Sequence, residues 1–116
     1  MRRRTQSDVS CCPITEHPEP DLRPVEGPEA DEELAALAKA AGHAARVRIL
    51  RLLARKETRV CSQIVDELPL AQSTVSEHLR ILKEAGLITS SGDGARTGYC
   101  IQSSALRRLK ALIAAL

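Results

Sequence analysis

Leu68-Pro69-Leu70-Ala71-Gln72-Ser73-Thr74-Val75-Ser76-Glu77-His78-Leu79 is the stretch on which the fold turns. Proline lacks an N–H and its ring clashes with the preceding turn, so Pro69 ends a short helix running from Gln63 to about Leu68. Leu70-Ala71-Gln72 makes a tight turn. A second helix follows from about Ser73 to Ala85, with Val75, Leu79 and Leu82 spaced i, i+4, i+7 along one face and Gly86 as its C-terminal stop. A short helix, a tight turn and an amphipathic helix make a helix-turn-helix.

Upstream, Thr58-Arg59-Val60-Cys61 reads as a brief strand, after which Ser62 caps the short helix that buries Ile64 and Val65. A helix from Ala44 to Ala54 buries Val47, Leu50 and Leu53 and carries arginines 46, 48, 51 and 55 on its other faces. Another begins near Pro28, with Leu34, Leu37, Ala38 and Ala41 on one face and Gly42 at its end. Its first turn holds Asp31, Glu32 and Glu33, where the helix dipole favours anions. Downstream, Leu87–Ser90 and Gly98–Gln102 read as two strands around the turn Ser91-Gly92-Asp93-Gly94. Ser103 or Ser104 caps a last helix with Leu106, Leu109, Leu112, Ile113 and Leu116 apolar. The fold class is mainly α with a small β-hairpin wing, a winged helix-turn-helix over residues 28–116. Residues 1–27 show no helical or strand period and contain Pro13, Pro18, Pro20 and Pro24, which predicts a flexible N-terminal arm.

The chain of 116 residues has room for one domain. Its core is aliphatic, because 43% of the residues are hydrophobic yet there is one Tyr, no Phe and no Trp. No run approaches the ~20 apolar residues of a membrane span. Met1-Arg2-Arg3-Arg4 is basic, but no apolar stretch follows it as in a secretory signal. These features predict a cytoplasmic protein with no membrane partner, in which thiols stay reduced. The net charge of +2 hides an asymmetry: residues 1–33 hold nine acids against four arginines, leaving the remainder at +7. A basic globular part suits a polyanion, although an ordinary solvated basic surface has the same balance. No serine-histidine-acid set, phosphate loop or paired carboxylate site is evident, so an enzyme is not expected.

Gly42-His43-Ala44-Ala45-Arg46-Val47-Arg48-Ile49-Leu50 resembles the G-x-x-x-R-x-x-I-L helix of the ArsR/SmtB family of metal-responsive repressors. The string Gln72-Ser73-Thr74-Val75-Ser76-Glu77-His78-Leu79, continued by Leu82-Lys83-Glu84-Ala85-Gly86-Leu87-Ile88, is similar to that family's recognition segment. The resemblance covers roughly residues 30–116 and leaves out the arm. It implies a homodimer joined through its first and last helices, bound to double-stranded operator DNA and released when metal binds.

On the recognition helix, Gln72, Ser73, Thr74, Ser76, Glu77 and Arg80 point away from the apolar stripe, as short hydroxyls and an amide that read base edges and phosphates would. The bland alternative is a solvated polar face. His78 lies on the packed flank beside Val75 and Leu79 and reads as structural. Arg96, just past the wing turn, is either a groove or phosphate contact or a plain surface arginine.

Four cysteines in a reducing compartment read as ligands or redox groups before a disulfide framework. Cys11 and Cys12 are adjacent in the arm, Cys61 ends the short strand and Cys100 lies in the returning wing strand. The first strand of a winged helix usually pairs with the returning one, which predicts that Cys61 and Cys100 are neighbours although 39 residues apart. Thiolates so placed suit a soft ion: arsenic(III) or antimony(III) with three, or cadmium, lead or zinc with four. The alternatives are Cys100 as a small core residue and a Cys61–Cys100 disulfide switch. Some family members use a Cys-x-Cys near the first helix of the recognition unit, of which Val60-Cys61-Ser62 keeps one cysteine. Others carry an N-terminal cysteine pair joined by a cysteine of the other subunit, which Cys11-Cys12 with Cys61 resembles most. The zinc site that other members build on the last helix needs aspartate and histidine, and residues 103–116 contain no Asp, Glu or His.

Overall fold

The computed structural model describes residues 21–55, 59–92 and 97–116, and at residues 59–62 the backbone alone. Among these residues, five helices and three strands follow in the order α1 (Pro28–Ala41), α2 (Ala44–Leu53), β1 (Arg59–Val60), α3 (Cys61–Asp66), α4 (Gln72–Glu84), β2 (Ile88–Ser91), β3 (Gly98–Ile101) and α5 (Ser103–Ala114). The winged helix-turn-helix is thereby realised, with α3 and α4 as the two helices and β2–β3 as the wing.

The recognition helix is buried along one stripe. Val75, Leu79 and Leu82 are at most 1% exposed and pack with Ile49 and Leu53 of α2 and Ile64 of α3. The helix ends as expected at Gly86, whose φ of 84° a side chain would resist. Gly86 N–H donates to the Lys83 carbonyl and Leu87 N–H to the Leu82 carbonyl, satisfying carbonyls of the last turn. The chain thus reverses directly into β2, with Leu87 and Ile88 sealed in the core.

The sheet has strand order β1-β3-β2 and is antiparallel throughout. Arg59 pairs with Tyr99 and Val60 with Gly98, so the first strand lies on the returning wing strand as predicted. Thr89 stands opposite Cys100 in the wing register. Gly92 begins the wing turn with φ 102°. The rest of that turn, Arg96 included, lies outside the described residues.

Several local expectations are corrected. Cys61 opens α3 instead of ending the strand, which places Ser62 inside that helix instead of before it. In α2 the buried face is Ala45, Ile49, Leu52 and Leu53 with Leu50 beside it, and Val47 is 38% exposed. At 100° per residue Val47 lies on the far side of the helix from Ala45 and Ile49, so Leu50 and Leu53 are buried as the spacing predicted and Val47 is not. In α1 the buried positions are Ala30, Leu37 and Ala40, and Ala38 falls at the exposed edge. Gln102 is the N-cap of α5 and makes no side-chain capping bond, so neither Ser103 nor Ser104 caps that helix.

Candidate functional site

The α3-turn-α4 unit presents its polar side outward. Gln72, Ser73, Thr74, Ser76, Glu77 and Arg80 are all exposed, while Val75, His78, Leu79 and Leu82 face inward. Ala71, the N-cap, offers no side-chain acceptor to the first-turn N–H groups, and that turn contains no acidic residue. Such a helix start accepts a phosphate oxygen, with the helix dipole adding to the attraction. Arg80 is engaged within the helix. Its Nε donates to Glu77 Oε1 at 2.9 Å and its Nη1 to Glu84 Oε2 at 2.7 Å. Those carboxylates raise the Arg80 pKa further, and the Arg80 guanidinium in turn lowers that of Glu77.

The helix is held from below by Arg46 of α2, a residue that periodicity placed on a polar face. Its Nη1 donates to His78 Nδ1 at 3.1 Å, while Nε and Nη2 donate to the carbonyls of Ala40 and Lys39 at the end of α1. One guanidinium therefore ties α1, α2 and α4 together. Because arginine only donates, His78 Nδ1 accepts, and its proton sits on Nε2. The His43 ring lies 4.6 Å from that of His78, centroid to centroid, and His43 Nδ1 accepts from Ala45 N–H at 3.1 Å to cap α2. Burial lowers the His78 pKa, and the nearby His43 and Arg46 lower it further. The structural reading of His78 holds.

A second arginine joins the arm to the helices. Arg108 of α5 is 4% exposed. Its Nε donates to Glu33 of α1 at 3.0 Å, Nη1 to the Arg23 carbonyl at 3.2 Å and Nη2 to the Pro24 carbonyl at 2.6 Å. Asp21 is ion-paired with Arg23 at 2.6 Å, a bond that holds its carboxyl far below the usual range. The last residues of the arm are thus strapped to α1 and α5. Neither arginine stands out by periodicity; for Arg46 the signal available was its place in the Gly42–Leu50 motif, and Arg108 had none.

Cys100 is 1% exposed and disulfide-bonded. Opposite Cys100, Thr89 Oγ1 is buried with no hydrogen-bond partner among the described residues. Cys11 and Cys12 lie outside the described residues, and of Cys61 the backbone is placed at the start of α3. Among the described residues, no three His, Cys, Asp or Glu side chains gather in a way that could hold a metal ion. Nor is any described helix long and apolar enough to cross a membrane.

Comparison with known proteins agrees with this geometry. The bacterial regulatory protein model of the arsR family matches residues 43–90. The uncharacterized HTH-type transcriptional regulator MJ1325 of Methanocaldococcus jannaschii is 35% identical over 82 residues, covering 71% of this chain and 92% of that protein. A crystal structure of a possible transcriptional regulator for arsenical resistance superposes with TM-score 0.62 at 31% identity, covering 69% of this chain and 81% of the other. The homodimeric winged helix-turn-helix DNA-binding domain of Mb0332 from Mycobacterium bovis, solved by NMR, gives TM-score 0.62 at 26% identity, covering 75% and 81%.

Proposed function

The chain belongs to the ArsR/SmtB family of transcriptional regulators, and from that premise we propose a homodimeric repressor that reads an operator through α4 and leaves it when its cysteines are engaged. The observation that carries the reading is the division of α4 into a sealed apolar stripe and an outward face of Gln72, Ser73, Thr74, Ser76, Glu77 and Arg80. Arg96 would add a wing contact to the minor groove or a phosphate. Two such heads on a two-fold axis reach half-sites about one DNA turn apart. For the dimer, Ile113 at 51% and Leu116 at 92% exposure leave apolar area at the end of α5 that a second copy would cover. Mb0332, which matches the same fold, is described as homodimeric. Sedimentation of the full chain should give a dimer at micromolar concentration. A stable monomer that still binds a palindromic duplex tightly would overturn it.

The inducer in this proposal is arsenic(III) or antimony(III), with cadmium, lead or zinc as alternatives. Arsenic(III) and antimony(III) bind three thiolates. The donors in this proposal are Cys11, Cys12 and Cys61, with Cys100 able to join or replace one of them; because Cys100 is bonded to another sulfur, the full set of thiolates forms only after that bond is reduced. Bound there, the ion would supply cross-links between the arm and the start of α3, the helix that supports α4. Cys61→Ser, or Cys11→Ser with Cys12→Ser, should keep DNA binding and lose release by arsenite. Cys100→Ser should have a smaller effect. Wild-type release from the arm double variant would remove the arm from the site.

The disulfide at Cys100 favours a second reading, a thiol redox switch in which Cys61 and Cys100 are joined. The β1–β3 pairing, which sets the start of α3 beside the returning wing strand, supports it. Two thiols would lose two electrons and two protons to a peroxide, which leaves as two waters. The two readings compete for Cys61. A release titration with arsenite, antimonite, cadmium, lead, zinc and peroxide separates them, with mass spectrometry of the oxidised protein identifying the bridge.

A further inference from the structure

The outward face of α4 is electrically balanced, which is unusual for a surface meant to meet a polyanion. Between Gln72 and Glu84 the charged residues are Glu77, Arg80, Lys83 and Glu84, two of each sign. The opposite charges are also in contact. Arg80 Nε and Nη2 meet the two oxygens of Glu77 at 2.9 and 2.5 Å, and Nη1 meets Glu84 Oε2 at 2.7 Å. All three side chains are more than half exposed, so the clamp lies at the surface where DNA would arrive. Exposed ion pairs of this kind contribute little to stability and are readily exchanged. A phosphate in the correct place can therefore take Arg80 from its carboxylates, whereas a phosphate elsewhere meets a neutral face.

We propose that Glu77 and Glu84 are selectivity residues that act through Arg80, holding its guanidinium away from DNA until a duplex seats α4 in register. This deepens the operator-reading function and rests on it. It assigns Glu77 to positioning Arg80 instead of to a base. Non-specific binding is driven by phosphate neutralisation, so occupying a cation with internal carboxylates suppresses it selectively. Specific binding loses less, because the operator's other contacts hold α4 close enough for the exchange.

The test uses the full-length protein carrying Glu77→Gln and Glu84→Gln, alone and combined with Arg80→Gln. The probes are random-sequence duplex DNA and the duplex that wild-type protein enriches from a randomised pool. The double variant should bind random duplex about tenfold more tightly, with a log K against log salt slope steeper by about one phosphate contact. Its affinity for the enriched duplex should change by less than about threefold, lowering the selectivity ratio. In the Arg80→Gln background both gains should vanish. Gains that persist there would show that the carboxylates repel phosphate by themselves, and overturn the proposal. A loss on the enriched duplex with no change on random DNA would overturn it too, by making Glu77 a base reader. A shift in melting temperature with an unchanged ratio would reduce the clamp to helix stabilisation. Failure of the wild type to enrich any duplex would refute operator reading itself, and this proposal with it.

Discussion

Arg46 and Arg108 both draw a guanidinium inward to join distant segments, but the company they keep differs in charge. Arg46 is met by two carbonyls and a neutral histidine. Arg108 is met by the Glu33 carboxylate, by two carbonyls of the arm and, at 3.9 Å, by Asp21. The cluster under α4 therefore has dipoles to oppose its cation, and the cluster under the arm has full negative charge. An added proton harms the first at milder acidity than the second. The cluster under α4 therefore begins to lose stability below the ordinary histidine value of 6.5, and the strap at residues 21–24 only below the ordinary aspartate value of 3.8.

The largest effect should come from removing the better-paired cation. Arg108→Met takes three hydrogen bonds and an ion pair from a nearly sealed site, and should cost about 3 kcal/mol in chemical denaturation. Proteolysis at residues 21–24 should quicken with it. Arg46→Met leaves His78 Nδ1 and the carbonyls at the end of α1 without their donor and should cost about 2 kcal/mol. It should also weaken operator binding more than Arg108→Met does, because the contact it breaks lies on α4. A reversed order in the binding assay would end the distinction between the two clusters.

The pH dependence sharpens it. His78 has a folded pKa below its ordinary 6.5, chiefly through burial and then through His43 and Arg46, with Glu77 opposing. The native state therefore binds fewer protons than the unfolded chain across that interval. Its contribution is complete above 6.5 and is lost as pH falls toward and through the folded pKa. Asp21 also has a depressed pKa, from an ordinary 3.8, so its contribution is present above that value and is lost in stronger acid. Thermal melts should decline first below about pH 6.5 and again below about pH 4. His78→Asn should flatten the first decline and leave the second. A single decline near pH 4 in the wild type would count against the neutral-histidine cluster.

The smallest effect belongs to Thr89, whose buried hydroxyl, across from Cys100, has no hydrogen-bond partner among the described residues. Thr89→Val removes a desolvated group without leaving one behind and should change stability by no more than about 0.5 kcal/mol, in the stabilising direction if at all. A larger loss would mean that the hydroxyl serves the sulfur opposite it.

Much of this architecture was legible in advance, and for a local reason. The stripe of Val75, Leu79 and Leu82, the stop at Pro69, the turn glycines and the outward polar face of α4 depend on residues within a few positions of one another. Periods of 3.6 and 2 and the special backbone freedoms of proline and glycine act at that range. In α2 the spacing found Leu50 and Leu53, which are buried, but took in Val47 with them, because the partner helices decide how far round the helix the covered face runs. Arg46 meets His78 across 32 residues, and Arg108 meets Glu33 across 75. Periodicity marks neither the burial of Arg108 nor the half-burial of Arg46. Their place is set when the helices pack and a cation finds acceptors that no neighbour in sequence supplies. The sequence by itself therefore determined the elements, their order and the polar face that α4 turns outward. The tertiary structure alone decided which charges are buried, and with what they are paired, because that depends on distances between segments the chain brings together only by folding.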